Sequence, residues 1–411
     1  MRSDRALVRV LAGAALLALP GRLGAEDAPA PAAAPRAAAE EAGAFAARVD
    51  AAIAKGLGWL RNRQMQEGTW RFVREDPPVP VGDHALALLT LAKCGVGAKD
   101  PVMAKGIKAL DRLFPFHVGT SKWGSAKTYD VAVTVMFHEA LASHESPGAP
   151  KLTGVAARRV REVADWLART QEKHVWRYPS SDHSEDLSAT QYALLALEMA
   201  SRCGVTVEPG VYHKALDYLL ANQEAQGPAS RLVVANEAWA PGARYARWLK
   251  ANPVNARGWP YRPKEKVTGS MTAAGVACLA IVKSQLRQAK ALDPENERAI
   301  DAAMLDGLAW LGSKFTAKGN PGDGKEWHYY YLYGVERVGA FLGVPNLGEH
   351  DWYREGAEHL LAAQTADGSW PGSGTGSNHP SIQTCFALLF LKRGTTPPTV
   401  PVKPAVTTDG E

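Results

Sequence analysis

The sequence predicts an all-α fold, an (α/α)6 toroid of six helical hairpins with an inner and an outer ring of helices. Three observations predict it: one segment recurs six times, each recurrence carries two helical patterns, and a glycine returns at one place in the first pattern. The chain has 411 residues, of which 46% are hydrophobic and 22% are charged. That composition is ordinary for a globular protein and excludes a disordered or fibrous one.

The recurring segment is most complete in its first and last copies. The first copy runs from Lys55–Leu60 through Gln64 to Trp70, and the last copy has Gln364 and Trp370 at the matching places. The equivalent positions in the six copies are Trp59, Ala109, Trp166, Tyr218, Trp310 and His359. Their spacings of 50, 57, 52, 92 and 49 residues indicate six units, one of which carries an insertion at about 224–266. An insertion of that length predicts a lid or a binding loop.

Each unit contains two helical patterns of different character. The first is amphipathic, as in Val155–Thr170, and the second is apolar nearly all round, as in Met271–Ser284. A helix that is apolar on every face must be covered on every face, so the second helices are predicted to form the inner ring. The glycine that recurs in the first helix, as at Gly56 and Gly356, costs about 1 kcal/mol there and predicts a close helix contact. An open helical solenoid is the alternative arrangement.

The two ends of the chain are predicted to lie outside the toroid. Residues 1–25 have a basic start, an apolar stretch and a small-residue end at Ala25, which is the layout of a secretory signal. We therefore expect export to the periplasm or the extracellular space, with a misread Ala-rich N-terminus as the alternative. Residues 26–49 predict an Ala/Pro-rich linker, residues 50–394 the toroid, and residues 395–411 a disordered tail.

The cysteines lie far apart in separate apolar helical patterns, which predicts buried thiols instead of disulfides or a closed zinc site. They are Cys94, Cys203, Cys278 and Cys385.

The pattern from Gly56 through Gln64 to Trp70, with its copy ending at Trp370, resembles the QW repeat of squalene/hopene cyclases and the related repeat of protein prenyltransferase β subunits. The resemblance covers about residues 50–393. It implies an (α/α)6 toroid with the active site in its central cavity. Within the motif, Gln64 can bond free backbone groups at a helix end while the tryptophan covers it, which is a structural role.

The catalytic residues of the resembled family are not matched. Its cyclases carry a DxDDT segment whose middle Asp donates a proton, and the aligned segment here is Asp186–Thr190, with Ser188 in the donor's place. The second unit likewise keeps only the first acid, Asp130. Gln383 stands where the prenyltransferase zinc set has a histidine, so no metal site and no cofactor is predicted, with another site formed by Glu326, His328 and His379 as the alternative. Asp130 and Asp186 are predicted to cap their helices, to reach the cavity mouth as acid, base or ligand anchor, or to do both.

The most unusual composition lies in Trp327–Tyr333, where four tyrosines occur in five residues at the start of an inner helix. Buried tyrosines need partners for their hydroxyls, so part of this segment is predicted to line the cavity, with packing against outer-helix tryptophans as the alternative. Glu336 and Arg337 are predicted to form an ion pair. The candidate catalytic residues are thus Asp186, Asp130 and His328, and the predicted ligand cavity comprises Tyr329, Tyr330, Tyr333, Trp327, Ser188, Gln383 and Thr190.

Two functions remain open. The first is an exported squalene-cyclase/prenyltransferase-like toroid that binds an apolar, isoprenoid-like ligand or a protein segment in its central cavity, without the DxDD or zinc chemistry. The second is an enzyme with a rebuilt cavity site that acts on an isoprenoid or a glycan. The formal net charge is +5, and residues 1–25 carry +3 of it, so no nucleic-acid partner is expected. No later apolar run is long enough to predict a membrane span.

Overall fold

The structure is a computed structural model that describes residues 33–70, 81–114, 128–148, 150–177, 185–230, 254–372 and 379–398. The chain divides into two compact units, residues 1–45 and 46–411. Of the first unit, residues 33–45 are described, and they begin helix α1 (Ala33–Asn62). The predicted signal segment, 1–25, lies outside the described residues.

The described residues form twelve α-helices and one two-stranded sheet. The helices after α1 are α2 (Val81–Lys93), α3 (Pro101–Leu113), α4 (Thr128–Glu145), α5 (Gly154–Thr170), α6 (Leu187–Arg202), α7 (Pro209–Asn222), α8 (Gly269–Gln288), α9 (Pro294–Lys314), α10 (His328–Leu342), α11 (Trp352–Ala363) and α12 (Pro380–Lys392). Strands β1 (Ala229–Ser230) and β2 (Val254–Asn255) pair antiparallel at the two ends of the insertion, with Ala229 opposite Asn255.

The even-numbered helices form a closed inner ring. Helix α2 packs on α4, α4 on α6, α6 on α8, α8 on α10, α10 on α12, and α12 returns to α2. The odd-numbered helices pack on the outside of this ring. The predicted all-α (α/α)6 toroid is confirmed, and the contact between α12 and α2 excludes the open solenoid.

Burial follows the predicted division between inner and outer helices. Every residue of α8 from Gly269 to Leu286 is buried, whereas α5 buries one face only. That face consists of Arg159, Val160, Val163, Ala164 and Leu167, at the spacing of an amphipathic helix. Among the described helices, α8 alone is long and apolar enough to cross a membrane, and its complete burial is that of a core helix.

A glutamine and a tryptophan tie each of several units to the next. The Gln64 side-chain amide donates to the carbonyl oxygens of Gly68, 3.1 Å away, and of Val102 in α3, 2.9 Å away. The indole N–H of the fully buried Trp70 donates to the Leu60 carbonyl at 2.9 Å. Both residues therefore donate to carbonyls that a helix end or a turn would leave free. Their hydrogen bonds also link the outer helices α1 and α3.

Three further pairs repeat this geometry, and two of them are not evident from the sequence. The pairs are Gln171 with Trp176, Gln223 with Trp259, and Gln364 with Trp370. Trp176 follows its glutamine by five residues and Trp259 by 36, instead of the six residues of the complete copies. The loop between glutamine and tryptophan varies in length while the two side chains keep their places.

The last pair closes the outer ring of the second unit. The Gln364 amide donates to the Ala52 carbonyl in α1 at 2.9 Å, and the Trp59 indole donates to Asp367 at 3.1 Å. Arg48 forms an ion pair with Glu358 beside these bonds. The end of the repeat region is thus bonded to its beginning, and we call this junction the seam.

The structure differs from two of the predicted boundaries. Residues 33–49, predicted as linker, lie in α1, because the segment is rich in alanine, the best helix former, and its Pro35 falls in the first turn, where proline is tolerated. Residues 395–398, predicted as the start of a disordered tail, are bonded to the inner ring through Thr395 and Thr396. The rest of that tail, 399–411, lies outside the described residues.

The cysteines are free, as predicted, but they are not equally buried. Cys278 and Cys385 are buried, whereas Cys94 and Cys203 are half-buried at the ends of their inner helices. Burial raises the pKa of Cys94, Cys203 and Cys385 to about 12, so these thiols are protonated at neutral pH.

Two glycines of α1 provide a matched test of the close contact that the recurring glycine predicts. A Cβ on Gly56 would lie 2.8 Å from the ring of Trp370 and 2.9 Å from Leu388, whereas a Cβ on Gly58 would meet nothing within 4 Å. Gly56→Ala should therefore lower the free energy of unfolding by about 1–3 kcal/mol, because the buried indole cannot move away. Gly58→Ala should raise it by about 0.5–1 kcal/mol through helix propensity. Urea unfolding measures both, and equal effects of the two substitutions would contradict the contact.

Candidate functional site

One face of α10 runs along the interior of the inner ring. Trp327, the residue before the helix, and Tyr330, Tyr333 and Arg337 follow one another at intervals of three or four residues and so share this face. Trp327 has a left-handed backbone with φ of 56° and is 41% exposed, while Tyr333 and Arg337 are buried. We call these four residues the aromatic column, which leads from the exposed Trp327 to the buried Arg337 inside the ring.

Tyr330 crosses the ring from α10 to α6. Its hydroxyl donates to the Gln191 side-chain oxygen at 2.7 Å and lies 2.9 Å from the Ser188 hydroxyl. Its ring is nearly parallel to that of Tyr192, with centroids 6.4 Å apart. Because α8 separates α6 from α10 in the ring, these contacts run through the ring centre. The centre is therefore occupied at this level by hydrogen-bonded side chains.

Ser188 joins a third inner helix to this network. The Tyr129 hydroxyl of α4 donates to Ser188 Oγ at 2.7 Å. Tyr129 also packs on Tyr192, with ring centroids 4.8 Å apart. The serine in the place of the cyclase acid is thus held between two tyrosine hydroxyls, and neither of them is a base that could activate it at neutral pH.

Deeper in the ring, the column meets α12 and a buried cation. The ring of Tyr333 stacks on that of Phe386, with centroids 5.9 Å apart, and the Arg337 guanidinium lies 4.6 Å from the centroid of Tyr333. Arg337 is 1% exposed and lies beside the Tyr333 hydroxyl, and within the described residues neither of its terminal nitrogens has an acceptor at good hydrogen-bond geometry. The predicted ion pair between Glu336 and Arg337 is wrong, because Glu336 accepts instead from the backbone N–H and the hydroxyl of Thr395.

The segment 394–398 lies across the far end of the inner ring. Beyond the bonds of Thr395 to Glu336 in α10, Thr396 accepts from Lys93 of α2 at 3.0 Å, and the Pro397 carbonyl accepts from Arg202 of α6 at 3.1 Å. The interior is therefore covered at the end where the inner helices finish.

The carboxylates of Asp186 and Asp130 both accept hydrogen bonds from backbone N–H groups. Asp186 caps α6 by accepting from Ala189 N at 2.8 Å, and its other oxygen accepts from the Tyr261 hydroxyl. Burial raises the pKa of Asp186, and these two hydrogen bonds oppose the rise. Asp130 lies in the first turn of α4 and accepts from Gly82 N in the first turn of α2 at 3.0 Å, so it caps the neighbouring helix. The capping role is confirmed for Asp186, and the catalytic role of both stays a prediction.

His328 lies on the outer side of α10. Its Nε2 is 2.8 Å from the Ala317 carbonyl, and its ring packs on Tyr329 and on His359 of α11, with centroids 5.1 and 4.9 Å away. Burial lowers the pKa of His328 from 6.5 to about 4, so the ring is neutral at pH 7 and donates to that carbonyl. The structure therefore places His328 away from the ring interior, and Tyr329 is buried beside it.

Of the remaining predicted cavity residues, some lie at the ring interior and others bond or pack elsewhere. The Thr190 hydroxyl bonds the backbone of Trp176, with 3.2 Å to both N and O, so it holds a glutamine–tryptophan turn and not a ligand. Gln383 is buried in α12. Trp327, Tyr330, Tyr333 and Ser188 are the predicted residues that the structure brings together around the interior.

Four interior residues are not among those predicted from the sequence. They are Tyr129, Gln191, Tyr192 and Phe386. A signal existed for two of them, because Gln191 and Tyr192 follow Ser188 by three and four residues and so share its helix face. Among the residues that the structure describes, no group of three histidine, cysteine or acidic side chains is placed to hold a metal ion.

Two surface depressions lie outside the ring. One of about 290 Å³ is lined by residues 226–230 and Trp310 beside the insertion, and one of about 440 Å³ lies along the seam between Arg48 and Gln364. Neither includes a residue of the aromatic column.

No protein-family model matches the sequence, and no curated protein matches it. Among solved structures, the chain is similar to a variant of the type II terpene cyclase MstE from Scytonema, with 12% identity, a TM-score of 0.45, and coverage of 85% of this chain and 97% of that one. It is also similar to the GH76A α-1,6-mannanase from Salegentibacter sp. HEL1_6, with 9% identity, a TM-score of 0.47, and coverage of 84% and 98%. At these identities and scores the similarities assign neither a family nor an activity.

Substitution of Asp186 tests its role as a cap. Asp186→Ala removes the acceptor for Ala189 N and for the Tyr261 hydroxyl and should lower the free energy of unfolding by about 1–2 kcal/mol. Asp186→Asn keeps an acceptor oxygen and should cost less. Urea unfolding checks both, with the exposed Asp165→Ala on α5 as the control. A loss in the control as large as that in Asp186→Ala would contradict the capping role.

The protonation state of His328 can be measured directly. Its folded pKa of about 4 lies below the ordinary 6.5, so the folded protein binds fewer protons than the unfolded chain between these values. The stabilisation from His328 is therefore complete above pH 6.5 and is lost as the pH falls toward 4. Nitrogen-15 NMR of the histidine rings, assigned with His328→Asn, should show a neutral ring protonated at Nε2 down to about pH 5. A midpoint near 6.5 would contradict the burial.

Proposed function

We propose that this protein is an exported binding protein that receives an apolar, isoprenoid-sized ligand in its ring interior and performs no chemistry on it. The observation that carries the proposal is the aromatic column from Trp327 to Tyr333, faced by Tyr192 of α6 across the ring and flanked by Phe386 of the neighbouring α12. Such a wall is apolar over the ring faces and polar only at the hydroxyls, which suits an apolar ligand with few polar groups. Export rests on the signal layout of residues 1–25.

The polar residues around the interior support binding over catalysis. The carboxylates of Asp130 and Asp186 accept backbone N–H groups, and the neutral His328 faces away from the interior. Among the described residues, the hydrogen-bond partners of Ser188 are tyrosine hydroxyls, which are not bases at neutral pH. A general acid, a base and a nucleophile within reach of one ligand atom are therefore not assembled in the described part of the ring.

Tyr330 is the gate in this proposal. Its hydroxyl is bonded to Ser188 and Gln191 across the ring, so a ligand that enters past Trp327 must turn this side chain aside. The aromatic column from Trp327 to Arg337 spans ten residues of helix, or about 15 Å. That length limits the ligand to a body of similar extent.

A second candidate function is an enzyme acting on an isoprenoid or a glycan. The observation that favours it is Asp186, whose pKa burial raises and whose neighbour on α6 is Ser188. In that case Asp186→Asn should abolish turnover while the free energy of unfolding changes little. Release of a cyclised isoprenoid or of a shortened oligosaccharide by the wild-type protein would favour the enzyme over the binding protein.

Variants of Tyr330 test the binding proposal. Native mass spectrometry of the purified protein should detect a retained lipid, and farnesol should raise the melting temperature while an oligosaccharide panel does not. Tyr330→Ala removes the side chain that crosses the ring centre. It should therefore strengthen farnesol binding by about tenfold. Tyr330→Phe keeps the ring but loses both hydrogen bonds, so it should mainly speed association.

If wild type and Tyr330→Ala both fold by circular dichroism yet neither binds farnesol nor retains a lipid, the interior is a packed core and the binding function is wrong.

A further inference from the structure

Arg337 is a buried cation whose charge is not neutralised by a bonded partner. Its side chain is 1% exposed and lies beside the uncharged hydroxyl of Tyr333, and within the described residues neither terminal nitrogen has a charged partner or an acceptor at good hydrogen-bond geometry. Two other buried basic side chains in the described residues are paired, Arg159 with Asp111 and Lys283 with Asp301. An unpaired charge in a protein interior is costly, and arginine does not escape by losing its proton. Arg337 therefore points to a partner that is not part of the folded chain.

The surroundings of Arg337 indicate where that partner lies. The guanidinium stacks on the Tyr333 ring at 4.6 Å, and Tyr333 in turn stacks on Phe386 of α12. The neighbouring carboxylate, Glu336, is held by two hydrogen bonds from Thr395 in the segment that covers the far end. The free donors of Arg337 are therefore at the bottom of the aromatic column, beyond Tyr330 and Tyr333.

We propose that Arg337 binds the carboxylate of an amphipathic ligand whose apolar body lies along the aromatic column. The proposal rests on the binding function proposed above and adds the chemical class of the ligand to it. A guanidinium presents two parallel N–H donors, which match the two oxygens of a carboxylate. The carboxylate would give the buried cation the acceptors that it lacks, and the aromatic rings would cover the apolar chain.

The charge around the site favours a monoanion over a phosphate or a diphosphate. Arg337 is a single cation among aromatic side chains, and the carboxyl group beside it is Glu336. A ligand with two or more negative charges would leave one of them without a partner in a dry interior, close to that carboxyl group. One guanidinium and one carboxylate neutralise each other.

Three probes of one chain length separate these possibilities: farnesoic acid, farnesol and farnesyl diphosphate. Their dissociation constants are measured by isothermal titration at pH 8 against wild type and Arg337→Gln. The control variant is Arg169→Gln, which changes an exposed arginine at the end of α5. Wild type and the control should bind farnesoic acid about tenfold or more tightly than farnesol, since a charge-assisted bidentate pair is gained. In Arg337→Gln this preference should disappear through weaker binding of the acid, with farnesol binding unchanged or stronger.

The outcomes distinguish the two proposals. Equal binding of the acid and the alcohol to wild type, or an acid preference that survives in Arg337→Gln, overturns the carboxylate site and leaves the binding function standing. Tightest binding of the diphosphate, lost in Arg337→Gln, overturns the monoanion class. Failure of every probe to bind a folded wild-type protein overturns the binding function and the carboxylate site together. Circular dichroism verifies that Arg337→Gln folds, which is expected because the variant removes an unpaired buried charge.

Discussion

Closure of the ring is the constraint on which the rest of this structure depends. The inner helices are apolar on nearly every face, and they can all be covered only if α12 returns to α2. The outer helices maintain that closure through glutamine amides and buried tryptophans, of which Gln364 and Trp370 join the last unit to the first. Because each amide bonds carbonyls of two segments, one side chain fixes both a turn and the position of the next outer helix.

The repeat made the architecture predictable, whereas the arrangement of the interior was harder to predict. Gln64, Trp70 and the recurring glycines mark positions whose contacts are the same in several units, so sequence spacing alone locates them. The partners of Tyr330 depend instead on the rotation of α4, α6 and α12 about their own axes. A helix that is apolar all round has no polar face to fix that rotation, so the sequence does not tell which of its residues point inward.

The polar residues at the starts of the inner helices illustrate why motif comparison alone is a weak guide to chemistry in a toroid. Asp130 and Asp186 accept hydrogen bonds from backbone N–H groups that would otherwise be free at a helix start. Thr190 likewise accepts a hydrogen bond from the backbone N–H of Trp176. Among the described residues, the terminal nitrogens of Arg337 satisfy no backbone group and no carboxylate. The residue that a repeat fold does not need for its own hydrogen bonding is the better indicator of a ligand.

The seam also determines when the ring can close during synthesis of the chain. Arg48 and Glu358 meet across 310 positions of sequence, so the hairpins can form one after another on an emerging chain, but the enclosure cannot exist before α11 and α12 have been made. Until then the inner helices expose apolar surface that later neighbours must cover. An unfinished chain is therefore prone to aggregation through the same surface that later encloses the interior.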